Sequence, residues 1–149
     1  MQLTQFTDYS LRALIYIALR NERCTINDIA CAYNISNNHL VKIIHNLSRL
    51  GVVKTSRGKN GGIGLNVEPA DVNLGALVVQ LEPNFDLVPC FNKEEANCCI
   101  APACRLKQIL DEAGQAFRAV LYRYTLADIL ANPQQLGQLL NISAQQLND

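Results

Sequence analysis

SNNHLVKIIHNLSRLGVVKTSRGKNGGIGLNV, residues 36–67, is the stretch on which the fold turns. Ser36 offers a capping hydroxyl, and Leu40, Ile43, Ile44, Leu47 and Leu50 follow at spacings of three and four, so a helix over 37–50 has one apolar face. Asn38, Lys42, Asn46 and Arg49 fall on the opposite face, with His39 and His45 at its margins. Gly51 stops the helix. Two short alternating strands come next, 52–56 and 63–67. They are joined by Arg57-Gly58-Lys59-Asn60-Gly61-Gly62, where glycines permit the positive backbone angles of a tight hairpin.

Upstream, Thr7 can cap a first helix whose apolar positions Leu11, Leu14, Ile15, Ala18 and Leu19 recur at helical spacing until Asn21-Glu22. Thr25 precedes a second, short helix over 26–33, with Ile29, Ala30 and Cys31 facing inward and Asn34 closing the turn. Helix, helix, turn, helix, hairpin is the order of a winged helix-turn-helix. Such a module sets the start of its third helix against base edges in the major groove, where Asn and cationic side chains find partners, while the hairpin reaches a minor groove or phosphates. Asn37, Asn38, His39 and Lys42 occupy that helix start, and Arg57, Lys59 and Asn60 the hairpin tip, which makes them the candidate DNA-binding residues.

Charge is distributed to match. The chain of 149 residues has 13 basic and 13 acidic side chains, a net charge of zero. Eight of the basic ones lie in residues 1–65 against Asp8, Glu22 and Asp28, a balance of +5, and the remainder carries −5. A positive first half is the footprint of a polyanion-binding surface joined to an acidic partner-binding half. With 49% hydrophobic residues and no Trp, the composition suits a core built from helices of Leu, Ile and Ala.

Beyond the hairpin, Leu74, Leu77, Val78 and Leu81 mark a linking helix from Asp71 to a break at Pro83. Residues 84–103 then show little periodicity, two prolines and several cysteines, so something other than a hydrophobic core must order them. Leu106, Ile109, Leu110, Ala113, Phe117, Val120, Leu121 and Tyr124 mark a long helix with a continuous apolar edge, Gly114 being its weak point. One such helix beside a small reading head lacks a surface to pack on. A second copy of the chain supplies it, and a two-fold dimer suits a palindromic operator. The tail from Asn132 reads as a short helix and a frayed end, with Leu136, Leu139 and Leu140 docking back. The expected class is therefore mainly α with a small β-hairpin, a winged helix-turn-helix plus a long dimerisation helix. Residues 1–82 form the DNA-binding domain with its linking helix, 83–104 a cysteine-rich cluster-binding loop, and 105–149 the dimerisation helix and tail.

Of the six cysteines, Cys90, Cys98, Cys99 and Cys104 fall within fifteen residues. The first residues carry Asp8 and Arg12, the apolar run 13–19 is short, and no stretch approaches the roughly 20 apolar residues of a membrane span, so a cytoplasmic chain with reduced thiols is expected. Clustered thiols there point to a soft metal or to redox chemistry. Structural zinc sites present cysteine pairs two to four apart with further Cys or His, a spacing absent here, whereas iron-sulfur clusters tolerate irregular spacing. Cys24 and Cys31 stand apart and read as small hydrophobes. Asp8, in the first helical turn, suits the helix dipole. An enzyme is not expected: both histidines lie on the third helix, far in sequence from the cysteines, and no phosphate-binding loop or nucleophile elbow occurs.

Several motifs occur together and in order: Met1-Gln2-Leu3-Thr4-Gln5-Phe6-Thr7-Asp8-Tyr9, Leu11-Arg12-Ala13-Leu14, Asn38-His39-Leu40-Val41-Lys42, the hairpin 57–62 and Pro102-Ala103-Cys104-Arg105-Leu106-Lys107. In these the chain resembles the NsrR family of nitric-oxide-sensing repressors, from Met1 to about Asn141. The resemblance implies a dimeric repressor that holds its operator while carrying an iron-sulfur cluster, [2Fe-2S] or [4Fe-4S]. Nitric oxide, attacking the iron, then releases it and derepresses detoxification genes. It assigns the cluster to Cys90, Cys98 and Cys104, with Asp8 donated by the partner subunit. Seven residues separate Cys90 from Cys98, longer than the family spacing, and Cys99 is an alternative to Cys98. The related IscR regulators place a His where Lys107 stands. A zinc or thiol switch on the same reading head, or a role in iron-sulfur homeostasis, are the alternative functions.

Overall fold

The computed structural model describes residues 2–58, 61–92 and 98–147. Among them are six α-helices and one antiparallel hairpin: α1 (Gln5–Leu19), α2 (Ile26–Tyr33), α3 (Asn37–Arg49), β1 (Val53–Ser56), β2 (Gly62–Leu65), α4 (Leu74–Leu81), α5 (Arg105–Leu121) and α6 (Pro133–Leu139). This is the mainly α winged-helix class.

Local chemistry sets the reading head. Thr25 and Asp28 form a reciprocal capping box at the start of α2, and Asn34 ends it in the left-handed region at φ 53°. Ser36 accepts the His39 N–H at the start of α3, and Gly51, at φ +77°, makes the turn that a side chain would strain. The hairpin register pairs Val53 with Leu65 and Thr55 with Ile63. A third edge joins it: Cys24 and Ile63 exchange both backbone hydrogen bonds, at 3.0 and 2.7 Å. The core of the head is Leu14, Leu19, Ile29, Leu40, Ile43 and Leu47, all fully buried where α1 crosses α3.

Four details differ from the sequence reading. The first cap is Thr4, whose hydroxyl accepts the Thr7 N–H at 3.2 Å, while Thr7 is itself fully buried in the first turn. Cys31 is exposed, because the inward face of the short α2 is filled by Ile29 and Ala30. Leu139 is also exposed, at 73%. The tail is not frayed through the described residues: Ile142 is buried, the Asn21 N–H donates to the Gln146 carbonyl at 3.0 Å, and Leu147 bridges Arg20 at the end of α1.

Helix α4 leads out of the head, and the far end of α5 returns to it. Leu74 N–H donates to the Tyr124 carbonyl and Leu126 N–H to the Val72 carbonyl, both at 2.9 Å. Gly75 permits this approach, since a Cβ there would stand 2.6 Å from the Tyr122 ring. Along α5 only Gly114 is buried, whereas Leu106, Ile109 and Val120 stay between 42% and 61% exposed. No described helix is long and apolar enough to cross a membrane.

Candidate nucleic-acid interface and cysteine loop

The burial of Leu40, Ile43, Ile44 and Leu47 turns the other side of α3 to solvent. Asn37, Asn38, His39, Val41, Lys42, His45 and Arg49 are all exposed there. Arg57 follows β1 and is exposed too, while Lys59 and Asn60 lie outside the described residues. Between α3, the start of α2 and the hairpin runs an open groove of about 620 Å³, lined by Thr25, Asn27, Asn37, Val41 and Thr55 among others. The Arg23 guanidinium donates to the Ser56 hydroxyl, tying the loop before α2 to the hairpin. Arg23, Asn27, Val41 and Thr55 were not singled out from sequence. The hairpin pairing that brings the two segments together is long-range, so only a residue-by-residue placement of the wing could have found them.

On the head's other flank, Asp8 is paired with Arg12 at 2.9 Å. The Arg12 guanidinium lies 5.9 Å from the centre of the Tyr9 ring, and that ring is 6.1 Å from the His39 imidazole, tilted by 50°. Asp8 is thus connected side chain to side chain with the first turn of α3. The Asp8–Arg12 pair is nearly half exposed, so it stabilises the helix by no more than about 0.5 kcal/mol and is easily exchanged.

The cysteine loop begins where α4 ends. Glu82, just before Pro83, receives both the backbone N–H of Thr4, at 2.8 Å, and its hydroxyl, at 3.1 Å. A carboxylate from the loop's root therefore completes the cap of α1 across 78 positions of chain. Cys90 sits partly buried in the short 3-10 turn Pro89–Phe91, and Cys98 and Cys99 are exposed. After a second such turn, Ala101–Ala103, Cys104 caps α5, its sulfur accepting the Lys107 N–H at 3.4 Å. Cys104, Phe85, Phe91, Ala101 and Lys107 border a hollow of about 530 Å³ between loop and helix, with the Arg118 guanidinium 5.3 Å from the centre of the Phe85 ring.

All six cysteines are free thiols. Among the described residues no three Cys, His, Asp or Glu side chains converge on one metal position, so Cys90, Cys98, Cys104 and Asp8 are not brought together here. The donor chemistry nevertheless fits a soft metal. The loop presents exposed or half-buried sulfurs on turns, and that of Cys104 stands at the N-terminus of α5. Cys24 is of another kind. It is 1% exposed, its thiol donates to the Ile63 carbonyl, and burial pushes it up to about 11, so it is an inert part of the core.

Comparison with known proteins agrees with this layout. The sequence model of the Rrf2 family, described as "Iron-dependent Transcriptional regulator", matches residues 3–132. The HTH-type transcriptional regulator NsrR of Halalkalibacterium halodurans is 47% identical over 144 residues, covering 95% of this chain and 99% of that protein. The regulator of the same name from Bacillus subtilis is 45% identical, with the same coverage. Among solved structures, T. potens IscR superimposes with a TM-score of 0.71 at 24% identity, over 91% of this chain and 90% of that one. CymR, described as the global cysteine regulator of B. subtilis, gives 0.68 at 25% identity, over 87% and 95%.

Proposed function

The chain belongs to the Rrf2 family of transcriptional regulators, a DNA-binding family and not one of enzymes, and from that premise we propose that it is a cytoplasmic repressor sensing nitric oxide through an iron-sulfur cluster. It works as a homodimer on a palindromic operator. Asn37, Asn38, His39 and Lys42 of α3 read the major groove, and Arg57, Lys59 and Asn60 of the hairpin contact the flanking backbone or minor groove. Cys90, Cys98 and Cys104 hold the cluster, with Cys99 the alternative to Cys98, and Asp8 of the other subunit completes it. The observation that carries the reading is the joining, in one chain, of an exposed polar and cationic α3 to a loop of free thiols, through a head whose first turn carries Asp8. Near full-length likeness to regulators named NsrR supports it.

Cys90, Cys98, Cys104 and Asp8 of the partner subunit would hold a [2Fe-2S] or [4Fe-4S] cluster, which would supply iron open to a diatomic ligand. The chain's own residues would link that site to the reading head. Asp8 has two uses, its own Arg12 or the partner's site, and it cannot serve both with one geometry. Arg12 rests on Tyr9 and Tyr9 on His39, so a change of partner at Asp8 is felt at the first turn of α3. Glu82 holds the same end of α1 against the root of the loop. Reading head and sensor loop therefore share one helix terminus.

The test is operator binding by protein isolated without oxygen, followed by fluorescence anisotropy before and after nitric oxide. Release is expected, and Asp8→Ala should blunt the response. Binding that persists unchanged through nitric oxide treatment contradicts the sensor reading. Two adjacent exposed thiols, Cys98 and Cys99, favour a thiol or zinc switch as the second reading, and iron-free protein that responds to a thiol oxidant would establish it.

A further inference from the structure

Val41 is the one apolar side chain on the exposed stripe of α3, and it is 51% exposed. Every other exposed residue of that helix is polar or cationic. Scattered single valines need no explanation on a protein surface, but this one stands in the middle of a stripe set aside for another purpose. It follows Asn37 by four residues and Asn38 by three, which puts it directly beside both, and His45 comes four later on the same line. Core packing does not require it, since Leu40, Ile43, Ile44 and Leu47 already fill the inward face. Its side chain borders the groove between α3 and the hairpin, with Asn37 and Thr55 among its neighbours there.

The major-groove edge of DNA has one apolar feature, the C5-methyl of thymine. A β-branched residue in a helix has a nearly fixed side-chain rotamer, so its methyl groups are already in place when the helix docks. We propose that Val41 is a specificity-determining residue that packs on a thymine methyl in each half-site. The proposal rests on α3 being the helix that contacts base edges. Asn prefers adenine, and three to four residues of helix rise about 4.5–6 Å, so the thymine lies within about two base pairs of an adenine paired with Asn37 or Asn38.

The experiment uses the full chain isolated anaerobically with its iron. The probe is the duplex that this protein enriches from a random-sequence pool, and each thymine is replaced singly by deoxyuridine, which removes only the methyl. One thymine per half-site should weaken binding about fourfold, the factor equivalent to burying one methyl group. Val41→Ala, which exchanges an exposed residue for a better helix former and keeps the circular dichroism of the parent, removes the contact in both half-sites, so it should bind the thymine duplex about sixteenfold more weakly and show no further loss with deoxyuridine. Indifference to every methyl, or an undiminished deoxyuridine penalty in Val41→Ala, overturns the proposal. A pool that enriches no sequence removes the base-reading role of α3 itself, and the proposal with it.

Discussion

Replacing Glu82 by alanine should loosen the whole start of α1, although the two are separated by 78 positions in sequence. The wild-type carboxylate takes a backbone N–H at 2.8 Å and a hydroxyl at 3.1 Å from Thr4, and it also faces the positive end of the α1 dipole. Hydrogen bonds to a charged group contribute about 1.5–3 kcal/mol where buried, and a favourable dipole contact about 0.5. Glu82 and Thr4 are only partly buried, so solvent screening brings the expected loss down to about 1.5 kcal/mol in total. For a chain of this length that is a fall in Tm of about 3–6 °C. Glu82→Gln, which keeps an acceptor and loses the charge, should fall by about half as much. Thermal unfolding at fixed protein concentration reads both, and the double substitution with Thr4→Ala should lose less than the sum of the two single ones. A Glu82→Ala protein melting within about 1 °C of the parent, with additive behaviour in the double variant, refutes the clamp.

Lys42→Ala and Arg57→Ala should each weaken operator binding, and each should make the salt dependence shallower by about one unit of slope if the lost contact was to phosphate; anisotropy titrations across salt concentrations measure this. The buried Cys24 thiol, raised to about 11, binds its proton more tightly in the folded chain than in the unfolded one. Its contribution to stability is therefore complete below the ordinary thiol range and is lost as pH rises from 9.0 toward 11, a fall of about 2 kcal/mol that urea titrations should find diminished in Cys24→Ala. Leu106→Glu with Ile109→Glu places charge on the exposed apolar edge of α5. Light scattering should then find a monomer with unchanged helix content, whereas a persisting dimer would move the subunit interface elsewhere.

Legibility in the sequence followed the range of the interactions involved. Helices α2 and α3 could be read almost to the residue because Thr25, Ser36, Asn34 and Gly51 act on neighbours within a turn. Thr4 and Thr7 look alike to a local reading, and what distinguishes them is Glu82, far along the chain. Cys24 stands between the polar Arg23 and Thr25 and Cys31 between Ala30 and Ala32, yet it is Cys24 that is buried, because it pairs with Ile63 of the hairpin, while Cys31 is left outside. The tail looked frayed because its helix is short and polar, and the bonds from Asn21 that hold it are again long-range. The cysteine loop was legible as a place, from its thiols and prolines. Its short turns at Pro89–Phe91 and Ala101–Ala103 were not, since neither shows a helical period in so few residues.

The central claim is tested most directly by the visible absorption spectrum of anaerobically isolated protein, with iron and acid-labile sulfide assayed on the same sample, before and after nitric oxide. Iron-sulfur absorption with matching iron and sulfide is expected, collapsing on addition of nitric oxide. A featureless spectrum from folded, iron-free protein would contradict it and leave the DNA-reading head with a different switch.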